Sequence, residues 1–287
     1  MLNHQNLTRK QKGLYFQLKR SIWNGRSISN ILKAASRNDL LKVLITGCTT
    51  RFPTDGVRTL TLLSLAIHGD NNECVNSILE QAQNNGILQD ILTTANIINY
   101  QNGLMYTLTS LGFAIHHNKG RYINVILTKA QENGILQDIL ASRNIVQYLN
   151  IIAYTLTPFS FAIYKGNNEC INSILIRVQN SDTLRNILTS KDIVQFPGVT
   201  YVIKPLAFAI YKGNNECVNS ILIRAQNSTM LQDAFTEVST VLFPYGRYTL
   251  NACELAIVVN ENNASIRTAL DNVSISSRYV RENSKVN

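Results

Sequence analysis

Charge is scarce in this sequence. Asp, Glu, Lys and Arg make up 16% of 287 residues, against roughly 25% in ordinary soluble chains. Asn, Ile, Leu, Ser and Thr fill the difference, and an apolar content of 45% is ample for a large core. Long apolar runs are missing: none approaches the roughly 18 residues of a membrane-spanning helix. The stretch MLNHQNLTRKQKGLYFQLKR has basic residues but no apolar segment behind them, which argues against a Sec-type signal peptide. The five cysteines are odd in number and form no CxxC or CxxH. They read as reduced thiols in a cytosol-like compartment, and N-x-S/T triplets such as those at Asn6 and Asn272 then read as chance. Catalytic signatures are absent as well. There is no Gly-rich phosphate loop, HExxH or GxSxG, and Asp and Glu form no recurring pair suited to acid–base work. The sequence therefore predicts no catalytic residue, no cofactor and no metal ligand.

Basic charge is present, but in one place. Residues 1–45 hold nine Lys/Arg and one acid, Asp39, a net of +8, while the other 242 residues hold 18 basic and 17 acidic side chains, a net of +1. The total of +9 describes that first segment and no basic face along the molecule, so nucleic acid is not the expected partner.

Repetition dominates the rest. FAIYKGNNECINSIL at 161–175 returns as FAIYKGNNECVNSIL at 208–222. In that register an Ala-Ile pair recurs at Ala66, Ala114, Ala162, Ala209 and Ala256, with spacings of 48, 48, 47 and 47. Four residues after each Ala come Asp70, Asn118, Gly166, Gly213 and Asn260, residues that tolerate left-handed backbone at a helix end. Asn of the NNEC segment supplies the N-cap of a second helix, whose Cys170, Ile171, Ile174, Leu175 and Val178 form one apolar stripe. Leu88, Leu136, Leu184 and Leu231 mark a third helix, with a break and fresh cap at Ser142 or Ser190 before Ile-Val. The alternating stretches VRTLTL, MYTLTS, AYTLTP, TYVIKP and RYTLNA predict a short extended segment before each first helix. ILKAASRNDLLKVLI at 31–45 adds a sixth, shorter unit. Units of this size bury their apolar faces only by stacking.

TPFSFAIYKGNNECINSIL at 157–175 resembles an ankyrin repeat. Thr157, Pro158, Ala162, Gly166, Ile171, Ile174 and Leu175 match that pattern, and 204–222 matches almost as well. Ankyrin units run about 33 residues; the period here also suits HEAT or armadillo units. The Asn/Ile-rich composition is similar to ankyrin-type effectors of intracellular bacteria. The resemblance implies an all-α fold: a helical repeat solenoid, ankyrin-like, with an extra helix per unit. Residues 1–30 would form a basic helical cap, 31–271 the array of about six units, and 272–287 a polar tail.

In such a stack the open side of helix one would line a concave groove. The column His68, His116, Tyr164, Tyr211, with His117, Lys165 and Lys212 beside it, is the predicted partner-binding set. Residues left alike by duplication are the competing reading. Cys74, Cys170 and Cys217 share a column; neighbouring units stack about 8–10 Å apart and Cys74 and Cys170 lie two units apart, which suits buried small residues and not a zinc site. Tyr106, Tyr154, Tyr201 and Tyr248, with Arg58 in the first copy, suggest a ladder of rings. RKQKGLYFQLKRSIW at 9–23 reads as a basic amphipathic helix that caps the repeats, touches anionic lipid or binds nucleic acid. The expectation is a monomeric, cytoplasmic, non-enzymatic scaffold for a protein partner, of effector type, reaching a host cytosol without a Sec signal. The alternatives are a membrane-peripheral adaptor held by residues 9–23, or an enzyme whose site lies outside the repeats.

Overall fold

The computed structural model describes residues 8–36, 48–52, 56–149, 151–178, 181–225, 239–243, 246–252 and 254–255. The chain divides into two compact units, Met1–Ile151 and Ile152–Asn287.

The first unit opens with helices α1 (Arg9–Trp23) and α2 (Ser29–Ser36) and the hairpin β1 (Cys48–Phe52), β2 (Gly56–Leu60). A series of three helices and a hairpin follows: α3 (Leu62–His68), α4 (Asn72–Asn84), α5 (Leu88–Thr93), β3 (Asn96–Asn99) and β4 (Leu104–Leu108). It begins again with α6 (Ser110–His116), α7 (Gly120–Glu132), α8 (Leu136–Ala141) and β5 (Asn144–Tyr148). Strands β1 to β5 pair antiparallel in chain order. The second unit runs β6 (Ile152–Leu156), α9 (Pro158–Lys165), α10 (Asn168–Arg177), α11 (Ser181–Leu188), β7 (Asp192–Phe196), β8 (Val199–Ile203), α12 (Pro205–Tyr211), α13 (Asn215–Ala225), β9 (Ser239–Phe243) and β10 (Gly246–Leu250). There β6, β7 and β8 pair antiparallel, and β9 with β10 forms a separate hairpin.

Local chemistry explains the helices. Thr61, Thr109 and Thr157 cap α3, α6 and α9 by accepting from the backbone N–H three residues on, at 3.1, 3.1 and 3.3 Å. Pro158 and Pro205 occupy the first helical position, where a missing N–H costs nothing. The expected left-handed stops are present: Asp70 at φ 55°, Asn118 at 52°, Gly166 at 65° and Gly213 at 67°. Asn71, Asn167 and Asn214 then cap the second helices through the N–H of Cys74, Cys170 and Cys217 at 3.0, 2.9 and 3.0 Å. Asn260 and Leu231 lie outside the described residues.

The first helices are buried almost all round, as Leu62 to Ile67 and Pro158 to Ile163 show. The second helices bury one stripe, Cys74, Val75, Ile78, Leu79 and Ala82 in α4. Each fully buried Leu or Ile contributes about 1.5–3 kcal/mol, so packing between helices, and not helix propensity, holds these short elements. Tyr15, Leu18 and Ile22 attach α1 to α2 and α3.

The sheets overturn the all-α reading and with it the ankyrin-repeat solenoid. The fold is mixed α/β, with antiparallel strands alternating with helices. The alternating segments MYTLT, AYTLT and TYVI are full ladder strands, β4, β6 and β8. Their partners were hidden behind the expected cap at Ser142 or Ser190. The β-branched pairs there belong to strands: Ile97-Ile98 in β3, Ile145-Val146 in β5 and Ile193-Val194 in β7. β-branched residues lose rotamer freedom in a helix and fit a pleated surface. Turn residues then fold each pair back. Pro197-Gly198 joins Phe196 to Val199 with Gly198 at φ 76°, the geometry of a type II turn.

Candidate functional site

A buried polar column fastens each helix start to the hairpin that follows it. Asn96 accepts the Thr61 N–H at 2.8 Å and donates to the Leu108 carbonyl at 3.1 Å. Asn144 accepts the Thr109 N–H at 3.1 Å. Asp192 accepts the Thr157 N–H at 2.7 Å and the Ser160 hydroxyl. Ser239 accepts the Lys204 N–H at 3.0 Å. Lys204 replaces the capping Thr, and its buried ammonium turns to the Thr189 carbonyl at 2.6 Å. Sequence reasoning missed this column. Its signal was available, since Asn96, Asn144, Asp192 and Ser239 each follow the register Ala by 30 residues.

The tyrosine column sits in the sheets, but its rings do not stack successively. In the first unit Ile98 stands between Arg58 and Tyr106 in the cross-strand row, and in the second Val194 stands between Tyr154 and Tyr201. Strands about 4.8 Å apart put alternate strands nearly 10 Å apart. The rings meet aromatic neighbours of their own unit: Tyr106 with His116 at 4.3 Å, Tyr154 with Tyr164 at 5.3 Å, Tyr201 with Phe196 at 5.7 Å between centroids. The side chain of Tyr248 lies outside the described residues.

The predicted binding residues occur in both units. In the first, the ends of α3 and α6 gather His68, His116 and His117. His117 lies 5.3 Å from His68, 4.8 Å from His116 and 4.5 Å from Phe113, ring to ring. The Tyr100 hydroxyl and His116 Nε2 share a hydrogen bond of 3.0 Å. All three imidazoles are half-buried. Among the described residues no group of three or more His, Cys, Asp or Glu side chains is arranged to hold a metal ion.

In the second unit, Tyr164 at the end of α9 stacks on Phe161 at 6.2 Å with 11° between planes. The Lys212 ammonium, just past α12, stands 5.0 Å from the centre of the Tyr164 ring and 5.8 Å from that of Phe208. Tyr211 is 41% exposed, and Lys165 and Lys212 are exposed. Burial raises the Tyr164 hydroxyl above its ordinary pKa. Burial, then Tyr164 and Tyr211, do the same for Tyr154. Partial desolvation lowers Lys165 and Lys212 below the ordinary lysine value. A less hydrated ammonium over a fixed ring makes a stronger cation–π contact than a fully solvated one. The surface thus offers neutral hydroxyls, aromatic faces and cations at helix ends.

The cysteines Cys74, Cys170 and Cys217 are buried free thiols. The Cys74 Sγ donates to the Arg26 carbonyl at 3.3 Å. Burial, with a neighbouring glutamate second, pushes Cys74 up to about 11 and Cys217 up to about 12, and raises Cys170 as well. No described helix is long and apolar enough to cross a membrane. No protein-family model and no curated protein matches this chain.

Proposed function

We propose that this chain is a non-enzymatic protein-binding module of a reducing compartment. The observation that carries the reading is the Lys212 ammonium held 5.0 Å over a Tyr164 ring that is itself stacked on Phe161. Tyr211 and Lys165 widen that surface in the second unit, and His68, His116 and His117 form a polar aromatic surface in the first. Tyr loses little side-chain entropy on binding and supplies both apolar area and a hydroxyl, which is why binding energy concentrates in such residues. A thiol on each of three packed second helices, buried and unlinked, suits a reducing surrounding.

The test compares the wild type with a Tyr164→Ala/Lys165→Glu/Tyr211→Ala/Lys212→Glu variant in pull-downs, followed by titration with the captured partner. Circular dichroism checks that the variant folds. Loss of one such anchor costs about 2 kcal/mol, roughly 30-fold in affinity, so the expected result is a partner retained by wild type and lost by the variant. Equal retention by both would remove this surface from the proposal, and capture of nothing would count against the binding reading itself.

A further inference from the structure

Helix α1 buries one face and leaves two large aromatics exposed on another. Tyr15, Leu18 and Ile22 are buried. At 100° per residue, Arg9, Lys12, Phe16, Lys19, Arg20 and Trp23 fall in a sector about 100° wide beside that buried stripe. Phe16 is 63% exposed and Trp23 60% exposed, although both are large aromatics. The two rings stand two turns apart, about 10 Å along the axis, among cations. The helix holds five Lys/Arg and no Asp or Glu.

From this face we propose that α1 docks the protein onto an anionic bilayer surface. The cations alone would suit any polyanion. The aromatics decide the partner: a headgroup layer offers negative charge and, just beneath it, an apolar medium in which Trp and Phe rings settle. Lys and Arg near an anionic membrane each add about fivefold to binding. The buried face keeps α1 attached to α2 and α3, so docking requires no unfolding. This surface is separate from the one proposed to bind protein, and the two stand or fall independently.

Trp23 is the single tryptophan of the chain, so its fluorescence reports on this face alone. The full chain is mixed with phosphatidylcholine vesicles, or with phosphatidylcholine–phosphatidylserine vesicles, and floated on a density gradient. Flotation with the anionic vesicles only is expected. A blue-shifted emission, quenched by lipids brominated on the acyl chain, should accompany it. Lys12→Glu/Arg20→Glu should weaken anionic-vesicle binding by about 25-fold or more, and Phe16→Ala should weaken it with its salt dependence kept. The wild-type quenching measurement needs no variant and guards against a misfolded one. Failure to float, flotation without a Trp23 shift, or equal binding by the charge-reversed variant would overturn the proposal. So would binding of poly(U) through Lys12 and Arg20 by a chain that does not float, which would assign the face to nucleic acid.

Discussion

Asn96 shows how much one buried side chain can carry. Its carboxamide is fully buried, takes the Thr61 N–H and gives a hydrogen to Leu108. Asn96→Ala would leave an amide N–H and a carbonyl unpaired away from water. An unsatisfied buried group costs about 1–3 kcal/mol, so the urea midpoint should fall accordingly with the slope unchanged. Asn96→Asp should restore only part of it, because a carboxylate can still accept the Thr61 N–H but has no hydrogen to donate to the Leu108 carbonyl. The corresponding Asp192 accepts the Thr157 N–H and the Ser160 hydroxyl. At the next position of the register, Gly112 stands where Ser64 and Ser160 stand in other copies, and a Cβ there would run into the Asn144 carboxamide.

At the scale of elements, the second helices set how the fold responds to alkali. Cys74 on α4, Cys170 on α10 and Cys217 on α13 are buried as neutral thiols whose folded pKa values lie above the ordinary value of 9.0. Below pH 9 the thiols are protonated in folded and unfolded chains alike, and they give stability no pH dependence. Between about 9 and 11 the unfolded chain ionises first, so it binds fewer protons than the native one and stability falls as pH rises. Urea midpoints measured from pH 8 to 11 should decline over that window, and replacing the three cysteines by Ala should flatten the decline. A midpoint that stays level in the wild type would show these thiols are not buried on α4, α10 and α13. The strands follow a different rule. Their pairing is fixed by β-branched pairs and by turns such as Pro197-Gly198, and their burial comes from helices laid against them.

For the molecule, repetition makes a prediction about excision. Residues 161–175 and 208–222 differ at one position, so deleting 162–208 joins Phe161 to Ala209 without altering the local sequence. Ser239 would then take the place of Asp192 opposite Thr157. This shortened chain should remain helical by circular dichroism and melt cooperatively, at a lower temperature because one set of helix contacts is gone. Deleting half a period should give a chain without a cooperative transition, since capping residues would then meet the wrong elements. A shortened chain no better folded than the half-period deletion would deny that the copies are interchangeable.

The sequence by itself determined the period, the starts and stops of the first two helices, the capping Asn residues, and one strand of each hairpin. Those features depend on a few neighbouring residues, so they are legible in order along the chain. The other strand was concealed, because Asn or Ser before Ile-Val is also a helix-start signal, and only a partner strand decides between them. Tertiary structure alone decided that the fold is mixed α/β, that buried Asn96, Asn144 and Asp192 grip backbone 35 residues away, and that Ile98 or Val194 separates successive members of the tyrosine column. It also decided which side of α1 faces water. A periodic pattern identifies an apolar stripe, but exposure of Phe16 and Trp23 depends on which stripe the rest of the unit covers.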